Sequence, residues 1–320
     1  METRRITPED AAGTLLGADN ILILTHKNPD GDAIGSGIAI AQALQQKGKH
    51  CRVAWSGELA SFYTLITRDY RPDAFAAPEF VLAVDLASNR LLPNETAEYA
   101  DCIDMVIDHH ATSVEFAKET LLEADASCCA EIIYKVITAM GCEVTTGIAN
   151  CIYVGLATDT GCFRYSNTTA ENHILAAELV SRGVNIALFN ELIFGQKSRA
   201  RIEIERRALA GMEFTSNGKI CIITITRSML EETNCIESDI EGIATIPKAI
   251  EGVEAGVTLR EQENGNWKIS LRTATLDASE ICSVFGGGGH LRAAGCECSG
   301  TPFEIKVAMV AAINRRLGIT

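Results

Sequence analysis

The 320-residue chain is long enough for two domains on the usual length expectation. Its 47% hydrophobic and 22% charged residues describe a globular protein with ample apolar material for a core. A formal net charge of −14 argues against a surface that grips long nucleic acid through many phosphates, because such affinity depends on neutralising them with Lys and Arg; a short anionic substrate held by a metal site and a few local arginines stays open.

The N-terminal METRRITPED lacks the apolar core of a secretory signal, and no apolar run approaches the roughly 18 residues of a membrane span, so a cytoplasmic protein without a membrane partner is expected. Ile21 to Leu24 is an unbroken apolar run, the pattern of a strand buried on both faces of a parallel sheet. His26, Asp30 and Asp32 follow within THKNPDGDAIGS, just past the strand's carboxyl end, where open α/β sheets bind ligands. One imidazole and two carboxylates form a mixed nitrogen and oxygen donor set, suited to a borderline or hard divalent ion such as manganese. The alternative is a solvated turn whose aspartates cap the next helix. That helix is predicted over Ala33 to Leu44, its small residues permitting close packing on the sheet.

His50 to Trp55 predicts a second strand. Phe80 to Ala87 (FVLAVDLA) repeats the first pattern, with Asp85 at its carboxyl end, where a buried carboxylate is costly unless paired or metal-bound. Met105 to Thr112 (MVIDHHAT) delivers Asp108, His109 and His110. Adjacent histidines point in different directions in an extended chain, so one can ligate metal while the other faces substrate, with Asp108 orienting an imidazole. Ser127 to Met140 reads as a helix with an apolar packing face. Ala149 to Ala157 is apolar and ambiguous between strand and helix; either way Asp159 becomes a fourth carboxylate at an element's end. Arg164 just beyond can meet a phosphate or cap a carbonyl.

Thr168 to Ser181 has helical spacing, and Val184 to Phe194 leads into Lys197 to Met212, a charged helix expected to join two domains and present a solvated face. The expected boundaries are therefore 1–190 for a metal-binding domain, 191–212 for a helical linker, and 213–320 for a smaller α/β domain with a mixed sheet. In the latter, Lys219 to Thr226 predicts a strand, Ile240 to Ile250 a helix, and Val253 to Glu261 with Trp267 to Thr273 a strand pair around the Asn264, Gly265, Asn266 turn. Helices are predicted over Ala278 to Phe285 and Phe303 to Leu317. Gly286 to Gly289 lets backbone amides approach a ligand with no Cβ in the way, an anion-binding concavity. His290 and Arg292 immediately after it, and Arg272 at the end of a nearby strand, favour that reading over a flexible hairpin. The twelve cysteines are scattered without a CxxC pair, so reduced core residues are expected, and neither Cys128 with Cys129 nor Cys296 with Cys298 has the spacing usual for zinc.

In order, HKNPDGD, VDLAS, IDHHAT, ATDTGCFR and FGGGGH resemble the DHH phosphoesterase superfamily with its C-terminal DHHA1 domain, from about Ile21 to Gly295. The length and the glycine-histidine motif are most similar to the stand-alone nanoRNase and phosphoadenosine-phosphate phosphatase group. RecJ-type exonucleases usually carry further nucleic-acid-binding domains, family II pyrophosphatases lack the GGGH loop, and membrane-bound cyclic-di-AMP phosphodiesterases carry segments not seen here. The resemblance implies an α/β fold: a mostly parallel-sheet DHH domain with helices on both faces and a smaller α/β DHHA1 domain with a mixed sheet. It implies two manganese ions, with magnesium or cobalt as substitutes. His26, Asp30 and Asp85 hold one; Asp32, Asp85, His109 and Asp159 hold the other, Asp85 bridging. By the same resemblance His110 faces the scissile phosphate and Asp108 supports the histidines, while Arg272, Gly288, Gly289 and His290 bind substrate. The implied reaction is hydrolysis of short oligonucleotides such as pApA, and of 3'-phosphoadenosine 5'-phosphate, to mononucleotides. Competing readings are a cyclic-dinucleotide phosphodiesterase and a non-hydrolytic nucleotide-binding sensor. A homodimer is implied by analogy alone.

Overall fold

The computed structural model describes residues 3–319 apart from 58, 60–62 and 241. Its contacts divide the chain into two units, Met1–Gln196 and Lys197–Thr320.

The first unit is built on six strands: β1 (Arg4–Arg5), β2 (Ile21–Leu24), β3 (Cys51–Ala54), β4 (Phe80–Val84), β5 (Met105–Asp108) and β6 (Glu119–Leu122). They form one sheet in the order β1-β6-β5-β4-β2-β3. Every neighbouring pair is parallel. Burial on both faces explains the unbroken apolar runs. Ile21 and Ile23 of β2 join the core under the main helices, while Leu22 and Leu24 join Val81, Ala83 and Val106 on the other face. The chain leaves β2 toward β3 and returns across it to β4. The carboxyl ends of β2 and β4 therefore flank the point where strand order reverses, the place where such sheets bind ligands.

Seven α-helices are present among the described residues of this unit: α1 (Pro8–Gly17), α2 (Gly31–Gln46), α3 (Thr64–Thr67), α4 (Cys129–Ala139), α5 (Thr146–Asp159), α6 (Ala170–Ser181) and α7 (Ile186–Asn190). The ambiguous apolar run is thus the helix α5, capped by the Thr145 side chain, which accepts from the Ile148 N–H. It looks apolar nearly all round because, Asn150 apart, it is buried from Ile148 to Ala157. The small residues of α2 bring it close to the sheet, as expected, a Cβ on Gly37 lying 3.0 Å from a Val53 methyl, and they have a second use. They seat α2 against α5, where a Cβ on Gly35 would lie 2.4 Å from the Cys151 carbonyl oxygen; Gly155 likewise seats α5 against α4, where a Cβ would lie 2.6 Å from the Ala130 Cβ.

The second unit contains α8 (Arg199–Ala210), β7 (Glu213–Thr215), β8 (Ile220–Ile225), α9 (Arg227–Thr233), β9 (Ala255–Glu261), β10 (Trp267–Thr273), α10 (Ala278–Ser283), β11 (Gly288–His290), β12 (Ala293–Cys298) and α11 (Pro302–Leu317). The sheet runs β11-β12-β10-β9-β8-β7; β8 and β9 are parallel and the other pairs antiparallel. Helix α8 packs Ile204 and Ala208 against Ile223 and Ile225 of β8. No α-helix forms over Ile240 to Ile250 among the described residues, contrary to the sequence expectation. Single 3-10 turns occupy Ile243–Thr245 and Pro247–Ala249. Gly242 at φ 75° and Pro247, which has no N–H to donate, interrupt the ladder a helix needs. No helix among the described residues is long and apolar enough to cross a membrane.

Candidate metal centre and active site

Loops leaving β2, β4 and β5 and the end of α5 bring His26, Asp30, Asp32, Asp85, Asp108, His109, His110 and Asp159 into one cluster. Three overlapping groups have ligand atoms close enough to hold a metal ion: His26, Asp30 and Asp85; Asp32, His109 and Asp159; and Asp85, His109 and His110. Asp85 sits at the centre. Its Oδ2 lies 3.6 Å from His26 Nε2, and its Oδ1 lies 3.5 Å from His109 Nε2 and 3.7 Å from His110 Nδ1. Asp85 has φ 53°, and its N–H still donates to the Ile107 carbonyl oxygen, so β4 ends one residue earlier and the left-handed turn aims the carboxylate into the cluster. A non-glycine residue in that region costs of order 1–3 kcal/mol and persists where its surroundings impose it.

Asp30, Asp32 and His109 are each held by backbone groups. Asp30 caps α2, its Oδ1 accepting from the Asp32 and Ala33 N–H groups. Capping and ligation are therefore compatible, because the cap uses Oδ1 alone. Asp32 is wholly buried and accepts from the Cys129 N–H at 2.6 Å, the Ala130 N–H at 2.8 Å and the Ser36 hydroxyl at 3.2 Å. The first turn of α4 thus holds it, and Gly155 leaves room for it: a Cβ there would be 2.7 Å from Asp32 Oδ1. His109 Nδ1 lies 3.3 Å from the Ala126 carbonyl oxygen, which turns Nε2 toward Asp159 Oδ2 at 3.3 Å. His110 Nδ1 is 2.7 Å from Asp108 Oδ1.

The electrostatics are those of a cation site. Burial, with the Asp85 charge next, pushes the Asp32 carboxyl up to about 8. Burial and the Asp32 charge push Asp159 up to about 9. Burial acts against Asp85 as well, but the adjacent His109 and His26 imidazoles outweigh it and hold that carboxyl well below its ordinary range. Burial would likewise depress His109, yet Asp85 and the other carboxylates raise it to about 10. Without a cation the cluster retains protons to offset its negative charge. Asp85 Oδ1 and His109 Nε2 are buried with no hydrogen-bond partner. Unpartnered buried polar atoms of this kind, in an oxygen and imidazole donor set that a cation can take over in place of protons, fit a divalent metal.

In the second unit, the register places Arg272 of β10 and His290 of β11 on either side of Ala293 of β12, on one face of the sheet. Gly288 and Ser270 flank Gly295 in the next row on that face. Arg272 Nη1 donates to the Leu271 carbonyl oxygen. The glycine run is part of a hairpin, and its members have different reasons to be glycine. Gly289 has φ 147°, and a Cβ there would be 2.6 Å from the Ala293 carbonyl oxygen; a Cβ on Gly287 would be 2.2 Å from that of Gly295. A Cβ on Gly288 would meet nothing within 4 Å. The fold does not need glycine at 288. Arg164, in the first unit, donates from Nε to the Gly161 carbonyl oxygen at 2.6 Å.

Residues 20–156 match the DHH family, N-terminal domain, and residues 217–316 match the DHHA1 domain. The bifunctional oligoribonuclease and PAP phosphatase NrnA of Thermus thermophilus is 31% identical over 289 residues, 89% of this chain and 86% of that protein. The chain belongs to the DHH family. A probable bifunctional oligoribonuclease and PAP phosphatase NrnA of Streptococcus mutans is 24% identical over 87% of this chain and 89% of that one. Among solved structures, an exopolyphosphatase-related protein from Bacteroides fragilis superposes with a TM-score of 0.86 at 25% identity, covering 96% of each chain. Membership of the DHH family, with its acidic and histidine centre, makes the chain a phosphoester hydrolase.

Sequence reasoning missed the supports of this DHH centre. Ser127 was read as the start of a packing helix, and Asn167 and Asn172 drew no attention, yet all three are bonded around the loop that holds Asp32 and His109. Their partners lie 40 and 45 residues away in sequence, so no local pattern marks them.

Proposed function

We propose that the protein is a manganese-dependent hydrolase of short oligonucleotides, such as pApA and other nanoRNAs, and of 3'-phosphoadenosine 5'-phosphate, releasing mononucleotides. The observation that carries this reading is the Asp85-centred cluster, with its unpartnered Asp85 Oδ1 and His109 Nε2, in a DHH-family chain similar to NrnA proteins. His26, Asp30 and Asp85 would hold one manganese ion, and Asp32, Asp85, His109 and Asp159 the other, Asp85 bridging. When bound, such ions supply Lewis-acid stabilisation of phosphoryl charge and make water nucleophilic near neutral pH.

The chain's own residues do the rest. Asp108 accepts from His110 Nδ1–H, and this hydrogen bond, despite opposing burial, raises His110 toward its charged form. Nε2 is then a donor, suited to a phosphoryl oxygen or to protonating the leaving oxygen. In the DHHA1 domain, Arg272 and His290 are assigned to the remote nucleotide, with the Gly288 and Gly289 backbone open to a phosphate. Arg164, its Nε fixed by the Gly161 carbonyl, is assigned to substrate phosphate on the same unit as the metal ligands.

The test is incubation of purified protein with manganese and pApA, with AMP followed by ion-exchange chromatography and Asp85→Asn as control. AMP from the wild type alone is expected. Intact pApA that stays bound to manganese-loaded protein would replace hydrolysis with a sensing role.

A further inference from the structure

The short segment from Ala126 to Ala130 supplies no ligand to the proposed metal centre yet holds residues that do. The Ala126 carbonyl orients His109, the Cys129 and Ala130 N–H groups hold Asp32, and the Ser127 carbonyl oxygen accepts from Asn167 Nδ2 at 3.1 Å. The same Asn167 amide reaches the Asp159 carbonyl oxygen at 3.2 Å. The segment therefore holds Asp32 and His109 directly and is tied to the Asp159 backbone through Asn167.

Ser127 is itself locked from beneath. Its hydroxyl lies 2.6 Å from Asn172 Oδ1 and 2.5 Å from the Asn167 carbonyl oxygen, and its N–H donates to Glu131 Oε2 at 3.3 Å. Asn172 is wholly buried on the first turn of α6. Its Oδ1 also accepts from the Thr169 N–H, and its Nδ2 donates to Glu131 Oε2 at 2.9 Å. The amide thus ties the start of α6 to the start of α4 through a donor and an acceptor used in opposite directions.

We propose that Asn172 is a positioning residue that, through Ser127 and Glu131, sets the metal affinity of the Asp32, His109 and Asp159 half of the centre while leaving the His26, Asp30 and Asp85 half to its own loop. This rests on the two-ion reading of the proposed function. A purely structural role for Asn172 is also at hand, since with Thr169 it forms the capping box of α6. The two roles use different atoms. Capping needs only the Oδ1 acceptor, which aspartate supplies equally well; positioning also needs the Nδ2 donor against Glu131.

The experiment is calorimetric titration of metal-free protein with manganese chloride, with the metal-free melting temperature alongside. Wild type is expected to bind two equivalents; fewer than two would remove the two-ion reading and this inference together, whatever the activity. With two bound, the variants judge the inference alone. Asn172→Asp keeps the cap but sets two carboxylates against each other, and Ser127→Ala removes the hydroxyl link. Each is expected to weaken one equivalent about tenfold and the other by less than about twofold, the size usual for groups that orient metal ligands. Wild-type affinity for both ions in Asn172→Asp or in Ser127→Ala would overturn the proposal. So would equal weakening of both ions. If Asn172→Asp alone does not fold, Ser127→Ala judges the proposal by the same outcomes, and if neither variant folds the link is structural and the proposal is overturned.

Discussion

The two units use their sheets in opposite ways. In the DHH unit all six strands run parallel, so their carboxyl ends gather along one edge, and β2, β4 and β5 discharge His26, Asp85, His109 and His110 there. In the DHHA1 unit the candidate residues lie in rows across a sheet face, as His290, Ala293 and Arg272 do on three adjacent strands. Charge follows the same division. Met1–Gln196 carries 13 Lys and Arg against 26 Asp and Glu, whereas Lys197–Thr320 carries 15 against 16. The net charge of −14 thus lies almost wholly in the unit that carries the acidic and histidine centre, and the other unit is close to neutral, with no overall electrostatic penalty against the nucleotide contact proposed for it.

If chemistry belongs to the first unit, the largest effect should come from its centre. Asp85→Asn is expected to lower turnover of pApA by about a thousandfold or more, as loss of a group that stabilises transition-state charge does, with far-ultraviolet circular dichroism unchanged. Full activity in that variant would remove the bridging assignment. Arg272→Ala combined with His290→Ala should instead raise KM for pApA about ten- to a hundredfold, the scale of losing a hydrogen bond to a charged group, while manganese affinity stays at the wild-type value. Weaker manganese binding in that variant would break the division of labour between the units.

How much of this was legible follows from the same contrast. Strands buried on both faces announce themselves as apolar runs, so β2, β4 and β5 were found with the acids and histidines that terminate them. The end of β4 was placed too late because the left-handed φ of Asp85 leaves no mark in the sequence. The second sheet was read less completely. The strand pair Ala255–Glu261 and Trp267–Thr273 alternates and was found, but β12, with the sequence AAGCEC, is made of small residues and resembles no strand template. The expected helix over Ile240 to Ile250 followed its apolar spacing and gave too little weight to Pro247. The supports of the centre were invisible for another reason: Ser127 and Asn172 are close only because α4 and α6 begin side by side.

The acid-rich centre also predicts how the metal-free protein responds to pH. Asp32 at about 8 and Asp159 at about 9, against 3.8 when unfolded, mean that the folded state binds more protons than the unfolded one between those values. Stability must then fall as pH rises through that window. His109, raised from 6.5 to about 10, adds stability that is complete below 6.5 and is lost as pH climbs toward 10, the same sign. Asp85 acts only at the acid end, where its stabilisation disappears as pH falls below 3.8. The melting temperature in chelator should therefore decline from about pH 5 to about pH 9, and Asp159→Asn should flatten the decline. Saturating manganese should do the same for the wild type. A melting temperature that rises over this range would contradict the charge arrangement.

The smallest effects separate two adjacent glycines. Alanine at 289 would have to adopt φ 147° with its Cβ against the Ala293 carbonyl, so Gly289→Ala is expected to cost about 1–3 kcal/mol of stability. Alanine at 288 meets only open space, so Gly288→Ala should change stability by no more than about 0.5 kcal/mol. If glycine stands at 288 to admit a phosphate to the backbone, the added methyl has one consequence: KM for pApA rises severalfold while the melting temperature holds. Unchanged KM in Gly288→Ala would mean that this part of the hairpin is bare for reasons unconnected with substrate, and would move the phosphate contact back to Arg272 and His290.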